Sequence, residues 1–105
     1  MADGRDPRLT RPSLGVLRAF LERPQHELAG ADLQKLTGLQ SGTLYPILLR
    51  FEDAGWLTSS WEDVDPHTAH RPRRRYYKLT GMGIVKSRAV FEQLRLTAKE
   101  EAWVF

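Results

Sequence analysis

Ser41-Gly42-Thr43-Leu44-Tyr45-Pro46-Ile47-Leu48-Leu49-Arg50-Phe51, then Gly55-Trp56-Leu57, then Arg71-Pro72-Arg73-Arg74-Arg75-Tyr76-Tyr77-Lys78-Leu79-Thr80 is the succession that decides the fold. It reads as helix, strand, charged loop, strand. In the first segment Leu44, Ile47, Leu48 and Phe51 recur at helical spacing and make one buried stripe, which leaves Gly42, Pro46, Leu49, Arg50 and Asp53 on the opposite face. A helix of this kind followed by an arginine-tipped hairpin suits duplex DNA: the helix fits the major groove and the tip reaches phosphates or the minor groove.

The start of that helix is set by either Ser41 or Thr43 as N-cap. Pro46 favours the later start, because a proline beyond the first turn removes a backbone hydrogen bond. Upstream, Leu14, Val16, Leu17, Phe20 and Leu21 give a helix from about Thr10 to Arg23, ended by Pro24. His26-Glu27-Leu28 reads as a connection to a second helix over Gly30 to Thr37, with Ala29, Leu33 and Leu36 inward and Gly38 as terminator. Downstream, Leu57 to Glu62 and Arg73 to Leu79 read as two strands, with the long loop Asp63 to Pro72 between them. Tyr77 shares a side with Leu79 and is the core member of the tyrosine pair, while Trp56 and Trp61 read as core and dimer-edge packing.

From Thr80 to Phe105 the pattern is helical again, with Ile84, Phe91, Leu94, Ala98, Ala102 and Phe105 as its stripe. Twenty-five residues of helix extend roughly 37 Å, more than a small winged domain covers. The surplus stripe, with Leu14, is therefore expected to bury itself against a second copy in a two-fold dimer. The expected organisation is a flexible arm over 1–9, a winged helix-turn-helix over 10–80 and a dimerisation helix over 81–105. The fold class is mainly α with a small antiparallel hairpin.

Composition narrows the partners. Residues 66–88 carry seven basic side chains and no acid, so the rest of the chain sums to −4 against a net charge of +3. Screening limits a field to about 8–10 Å, so this local concentration speaks for a polyanion more strongly than net charge does. With no cysteine among 105 residues, disulfides and thiolate metal sites are excluded, and a reducing cytoplasm is the expected setting. Met1 to Pro12 is too polar for a secretory signal, and no apolar run approaches a membrane span. No nucleophile, base and orienting group stand out, nor a glycine-rich phosphate loop, so neither an enzyme nor a cofactor is expected. His67 and His70 lack a third ligand and are read as pH-dependent positive charge, not as a metal site.

Gly42-Thr43-Leu44-Tyr45-Pro46-Ile47-Leu48, Phe51-Glu52, Gly55-Trp56-Leu57 and Arg73-Arg74-Arg75-Tyr76-Tyr77-Lys78-Leu79-Thr80, in this order, resemble the PadR family of transcriptional regulators, over about residues 14 to 92. The single C-terminal helix is similar to the smaller PadR subfamily. The resemblance implies a winged helix-turn-helix, a dimer through the C-terminal helix, and repression of a nearby promoter relieved by a small molecule. It makes Thr43, Tyr45 and Pro46 the start of the recognition helix and Arg73 and Arg74 the basic wing. The chain departs from the pattern at Leu49, which can touch a thymine methyl but cannot donate to guanine, and at Glu62, Asp63 and Asp65, acids that precede the wing arginines. Leu94 stands where relatives that bind planar aromatic compounds carry an aromatic residue.

The DNA-binding set is therefore Ser41, Gly42, Thr43, Tyr45, Pro46, Leu49, Arg50, Arg71, Arg73, Arg74 and Arg75, facing an inverted-repeat operator in double-stranded DNA. Tyr45 donates to a phosphate or covers the domain surface with its ring, and Arg50 meets the groove or pairs with a surface acid such as Glu27 or Asp53. A small aromatic or phenolic effector is expected near Phe91, Trp103 and Phe105. The competing expectation is a winged-helix module that binds another protein through the third helix, for which Leu49 speaks and the basic segment does not.

Overall fold

The computed structural model describes residues 6–104, with side chains for residues 6–97. Helix α1, Arg11–Glu22, starts at a reciprocal cap: the Ser13 N–H donates to Thr10 Oγ1 at 3.3 Å and the Thr10 N–H to Ser13 Oγ at 2.6 Å. A two-residue strand β1, Leu28–Ala29, leads into α2, Gly30–Thr37, and Gly38 closes α2 in the left-handed region at φ 73°. Helix α3 covers Ser41–Asp53, strand β2 Leu57–Trp61, the single turn α4 Pro66–Ala69, strand β3 Arg75–Leu79, and helix α5 Gly81–Val104.

The sheet has three strands in the order β1-β3-β2, all antiparallel. The sequence reading expected only the hairpin. Strand β1 escapes it because two residues carry no periodicity; they become a strand only by pairing Leu28 with Tyr77 and Ala29 with Tyr76. Within the hairpin Leu57 faces Leu79 and Trp61 faces Arg75, so the wing runs on from residues rooted in the core.

That core joins Val16, Leu17 and Phe20 of α1 to Leu33 of α2, the full α3 stripe, Trp56, Leu57, Tyr77 and Leu79. The rings of Phe51 and Trp56 stack at 5.4 Å between centroids. Leu36, expected inward, is 56% exposed, because α2 ends one residue later and Leu39, beyond the turn, packs against the core instead. Trp61, expected in packing, is 60% exposed and lies under the Arg75 guanidinium, 4.9 Å from its ring centre.

Helix α3 begins earlier than expected. Its N-cap is Gln40, which makes no side-chain capping bond, and Pro46 lies inside the helix. The N–H groups of Thr43 and Leu44 both donate to the Gln40 carbonyl, at 3.0 and 2.9 Å. Pro46 costs the helix the bond that would reach the Gly42 carbonyl, a cost reduced by the exposure of both residues to solvent. Burial of Leu44 and packing of Leu39 set this start, and they outweigh the local preference read from Pro46.

The last helix is anchored by Thr80. Its hydroxyl accepts the Gly83 N–H at 2.9 Å and donates to the Gly55 carbonyl at 2.6 Å. A Cβ on Gly83 would strike the Trp56 carbonyl, so glycine is what allows α5 to lie this close to the turn before β2. Gly83 and Ser87 are buried and Ile84, Val90 and Phe91 half-buried against the core, whereas residues 92–97 are exposed.

Candidate nucleic-acid interface

Helix α3 divides its side chains as its period dictates. Leu44, Ile47, Leu48 and Phe51 are at most 2% exposed, while Ser41, Gly42, Thr43, Tyr45, Pro46, Leu49, Arg50 and Asp53 form one exposed face. Leu49 is 57% exposed, an apolar side chain held outward by the burial of its neighbours. Arg50 is in no ion pair among the described residues. Tyr45 takes a position that neither of its two readings gave in full. Its phenol end lies over Gly30 at the start of α2, where any Cβ would overlap it, and the residue remains 43% exposed.

Between this tyrosine and the wing lies a cleft of about 500 Å³, bounded by Ala31 and Tyr45 on one side and by Trp61, Arg73 and Arg74 on the other. Tyr45, alone of the exposed α3 face, thus borders one concavity with the arginine cluster. The cluster itself is not a set of equivalent cations. Arg71 forms a two-pronged pair with Glu62, Nη1 to Oε1 at 2.6 Å and Nη2 to Oε2 at 3.0 Å. Arg73 donates its Nε–H to the Val64 carbonyl at 2.9 Å. Arg75 donates to Ser59 Oγ at 2.8 Å and lies 3.8 Å from the Glu52 carboxylate, which also accepts the Ser59 hydroxyl. Arg74 is exposed, and its guanidinium has no hydrogen-bond or ion-pair partner among the described residues.

Of the three acids that precede the wing arginines, Glu62 and Asp65 have internal partners. The Arg71 hydrogen bond holds the Glu62 carboxyl at about 2, below its ordinary 4.5, and the same pairing raises Arg71. Asp65 caps the α4 turn by accepting the His67 N–H at 2.9 Å. That turn ends on His70 at φ 57°, and no group of three metal-ligating side chains is found among the described residues. Glu52, Ser59 and Gly30 were missed by sequence reasoning. Their signal is a register, since only strand pairing brings β2 and β3 side chains onto the α3 carboxylate.

The residues expected at a dimer interface divide. Leu14 is half-buried, and Ile84 and Phe91 pack partly on their own core, so only a portion of each is open to a partner. Leu94 is 45% exposed. The side chains of Ala98, Ala102, Trp103 and Phe105 lie outside the described residues, as do residues 1–5 of the expected arm; Asp6 pairs with Lys86 at 3.1 Å. Among the described residues no helix is long and apolar enough to cross a membrane.

A model of the transcriptional regulator PadR-like family matches residues 21–89. Among solved structures, a PadR family transcription regulator from Clostridium difficile is similar with a TM-score of 0.74 at 21% identity, covering 90% of this chain and 98% of that one. A PadR family transcriptional regulator from Eggerthella lenta gives 0.71 at 22% identity, with 89% and 83% covered. A transcriptional regulator homologue from Pyrococcus horikoshii gives 0.70 at 18%, with 84% and 80% covered. At these identities the likeness establishes the fold, a winged helix with one long C-terminal helix. No curated protein matches the chain.

Proposed function

This chain belongs to the PadR-like family of transcriptional regulators, and from that premise we propose that it is a homodimeric repressor, acting in the cytoplasm on an inverted-repeat operator and released by a small aromatic effector. The observation that carries the reading is the cleft that Tyr45, on the exposed face of α3, shares with Arg74, whose guanidinium has no partner among the described residues. Ser41, Gly42, Thr43, Pro46, Leu49 and Arg50 meet the major groove, Tyr45 a backbone phosphate, and Arg73 and Arg74 the phosphates beyond. Two copies joined through α5 present two such faces about 34 Å apart, one turn of duplex. Leu94, 45% exposed, supplies apolar surface for that join.

The effector is placed in the gap of about 560 Å³ between α1 and α5, lined by Arg18, Leu21, Arg88 and Phe91. A ring fits against Phe91 and Leu21, and the side chains of Arg18, Arg88 and Arg95 with Glu22 and Glu92 offer polar partners of both signs to its substituents. A ligand there acts by favouring dimers whose recognition helices are wrongly spaced, which requires it to bind that spacing better.

The test is a gel shift of purified protein on DNA upstream of its own gene across a salt series, with sedimentation alongside. A dimer whose affinity falls steeply with salt is expected. A compact monomer with no hold on duplex at low ionic strength ends the proposal. Leu49 favours one other reading, a protein-binding module, and for that module the shift is absent while the fold is intact.

A further inference from the structure

An acid inside a DNA-binding wing ought to weaken the complex, since it repels the phosphates that neighbouring arginines attract. Glu62 is such an acid, yet its carboxylate accepts three hydrogen bonds from within the wing. Oε1 accepts from Arg71 at 2.6 Å and from the Arg74 backbone N–H at 3.2 Å, and Oε2 accepts from Arg71 at 3.0 Å. The Glu62 N–H in turn donates to the Arg74 carbonyl at 2.8 Å, extending the hairpin one pair past Trp61 and Arg75. Both backbone polar groups of Arg74 are therefore tied to residue 62, while its guanidinium alone is left outward. Arg71 is occupied on the same carboxylate and Arg75 against Trp61, Ser59 and Glu52, while Arg73 is held through Nε alone on Val64, its Nη groups having no partner among the described residues.

We propose that Glu62 is a positioning residue for duplex binding, with Arg71 as its counter-ion and Arg74 as the phosphate contact it aims. The inference rests on the DNA-binding reading above and deepens it, because it separates Arg71, a brace, from Arg74, a contact that the brace aims. The physical reason is entropic. A free arginine at the tip of a mobile loop loses backbone and side-chain freedom when it meets a phosphate, and a tip already fixed by three charge-assisted bonds has surrendered most of the backbone part. The carboxylate repels phosphate less than its bare charge suggests, since the Arg71 guanidinium forms a neutral pair with it.

The sign of one substitution separates this from simple electrostatics. Glu62→Gln removes a negative charge from the wing, so charge alone makes duplex binding tighter. Positioning makes it weaker, by about tenfold, because an amide cannot take both Arg71 donors. The probe is a short duplex selected from a random-sequence pool by the wild-type chain, with affinity measured across a salt series. For Glu62→Gln and Arg71→Ala, weaker binding with the wild-type dependence of log K on log salt is expected. For Arg74→Ala that slope should fall by about one unit. Glu62 lies outside the core cluster, so these variants are expected to fold, and thermal melting checks it. Equal or tighter binding by Glu62→Gln overturns the inference and leaves the DNA-binding reading standing. So does a reduced salt slope in Arg71→Ala, which makes that arginine a phosphate contact. Failure of the wild-type chain to select any duplex removes the reading and the inference together.

Discussion

Glu62 also makes a prediction at the scale of single residues. Its carboxyl stands at about 2 in the folded chain against 4.5 unpaired, so its folded value is depressed. A depressed acid contributes stability that is complete above the unpaired value and is lost as pH falls toward the folded one. The difference in thermal midpoint between wild type and Glu62→Gln should therefore be constant near neutrality and close between pH 4.5 and about 2. A gap that persists unchanged at the acid end would detach the effect from the carboxylate. Two further residues owe their identity to neighbours. Gly30 lies under the Tyr45 phenol and Gly83 against the Trp56 carbonyl, so each is small because something else needs the space.

Among the elements, α3 carries an internal conflict. Its stripe buries Leu44, Ile47, Leu48 and Phe51 almost completely, while Pro46 on its outer face removes a backbone bond from the second turn. Tertiary burial wins because four large side chains outweigh one hydrogen bond by several kcal/mol. Pro46→Ala restores the donor to the Gly42 carbonyl and should stabilise the fold by about 1–2 kcal/mol, read as a shift in denaturant midpoint at constant slope. If Pro46 lies against the groove, the same variant loses duplex affinity as it gains stability. Loss of stability instead would mean that the restricted proline backbone contributes more, through the unfolded chain, than the missing bond costs.

At the scale of the whole molecule, the longest axis is 60 Å against 29 and 24 Å for the others. A helix of 24 residues accounts for that shape, since it extends roughly 36 Å and only its first three turns rest on the domain. Leu94 is the first large apolar side chain past that contact. Leu94→Glu should convert dimer to monomer in sedimentation while leaving helical content unchanged, because Leu94 belongs to no part of the core cluster. Duplex affinity should fall roughly a hundredfold with it, as two tethered reading heads become independent. A dimer that survives this change would place the join elsewhere.

Helices α1, α2, α3 and α5 and the buried stripe of α3 were legible from the chain because caps, prolines and apolar period act within a few residues of one another, whereas the single turn α4 lies in what read as a loop. The PadR-like motifs, the concentration of basic residues and the length of the final helix were legible for the same reason. What the chain alone could not disclose depends on distant residues meeting. Strand β1 exists only against Tyr76 and Tyr77, and α3 starts at Ser41 because Leu39 and Leu44 find the core. Which arginines are braced depends on the hairpin register that sets Glu62 beside Arg71 and Arg74, and Arg75 beside Ser59 and Glu52. A charge is written in the sequence, but its partner is chosen by folding.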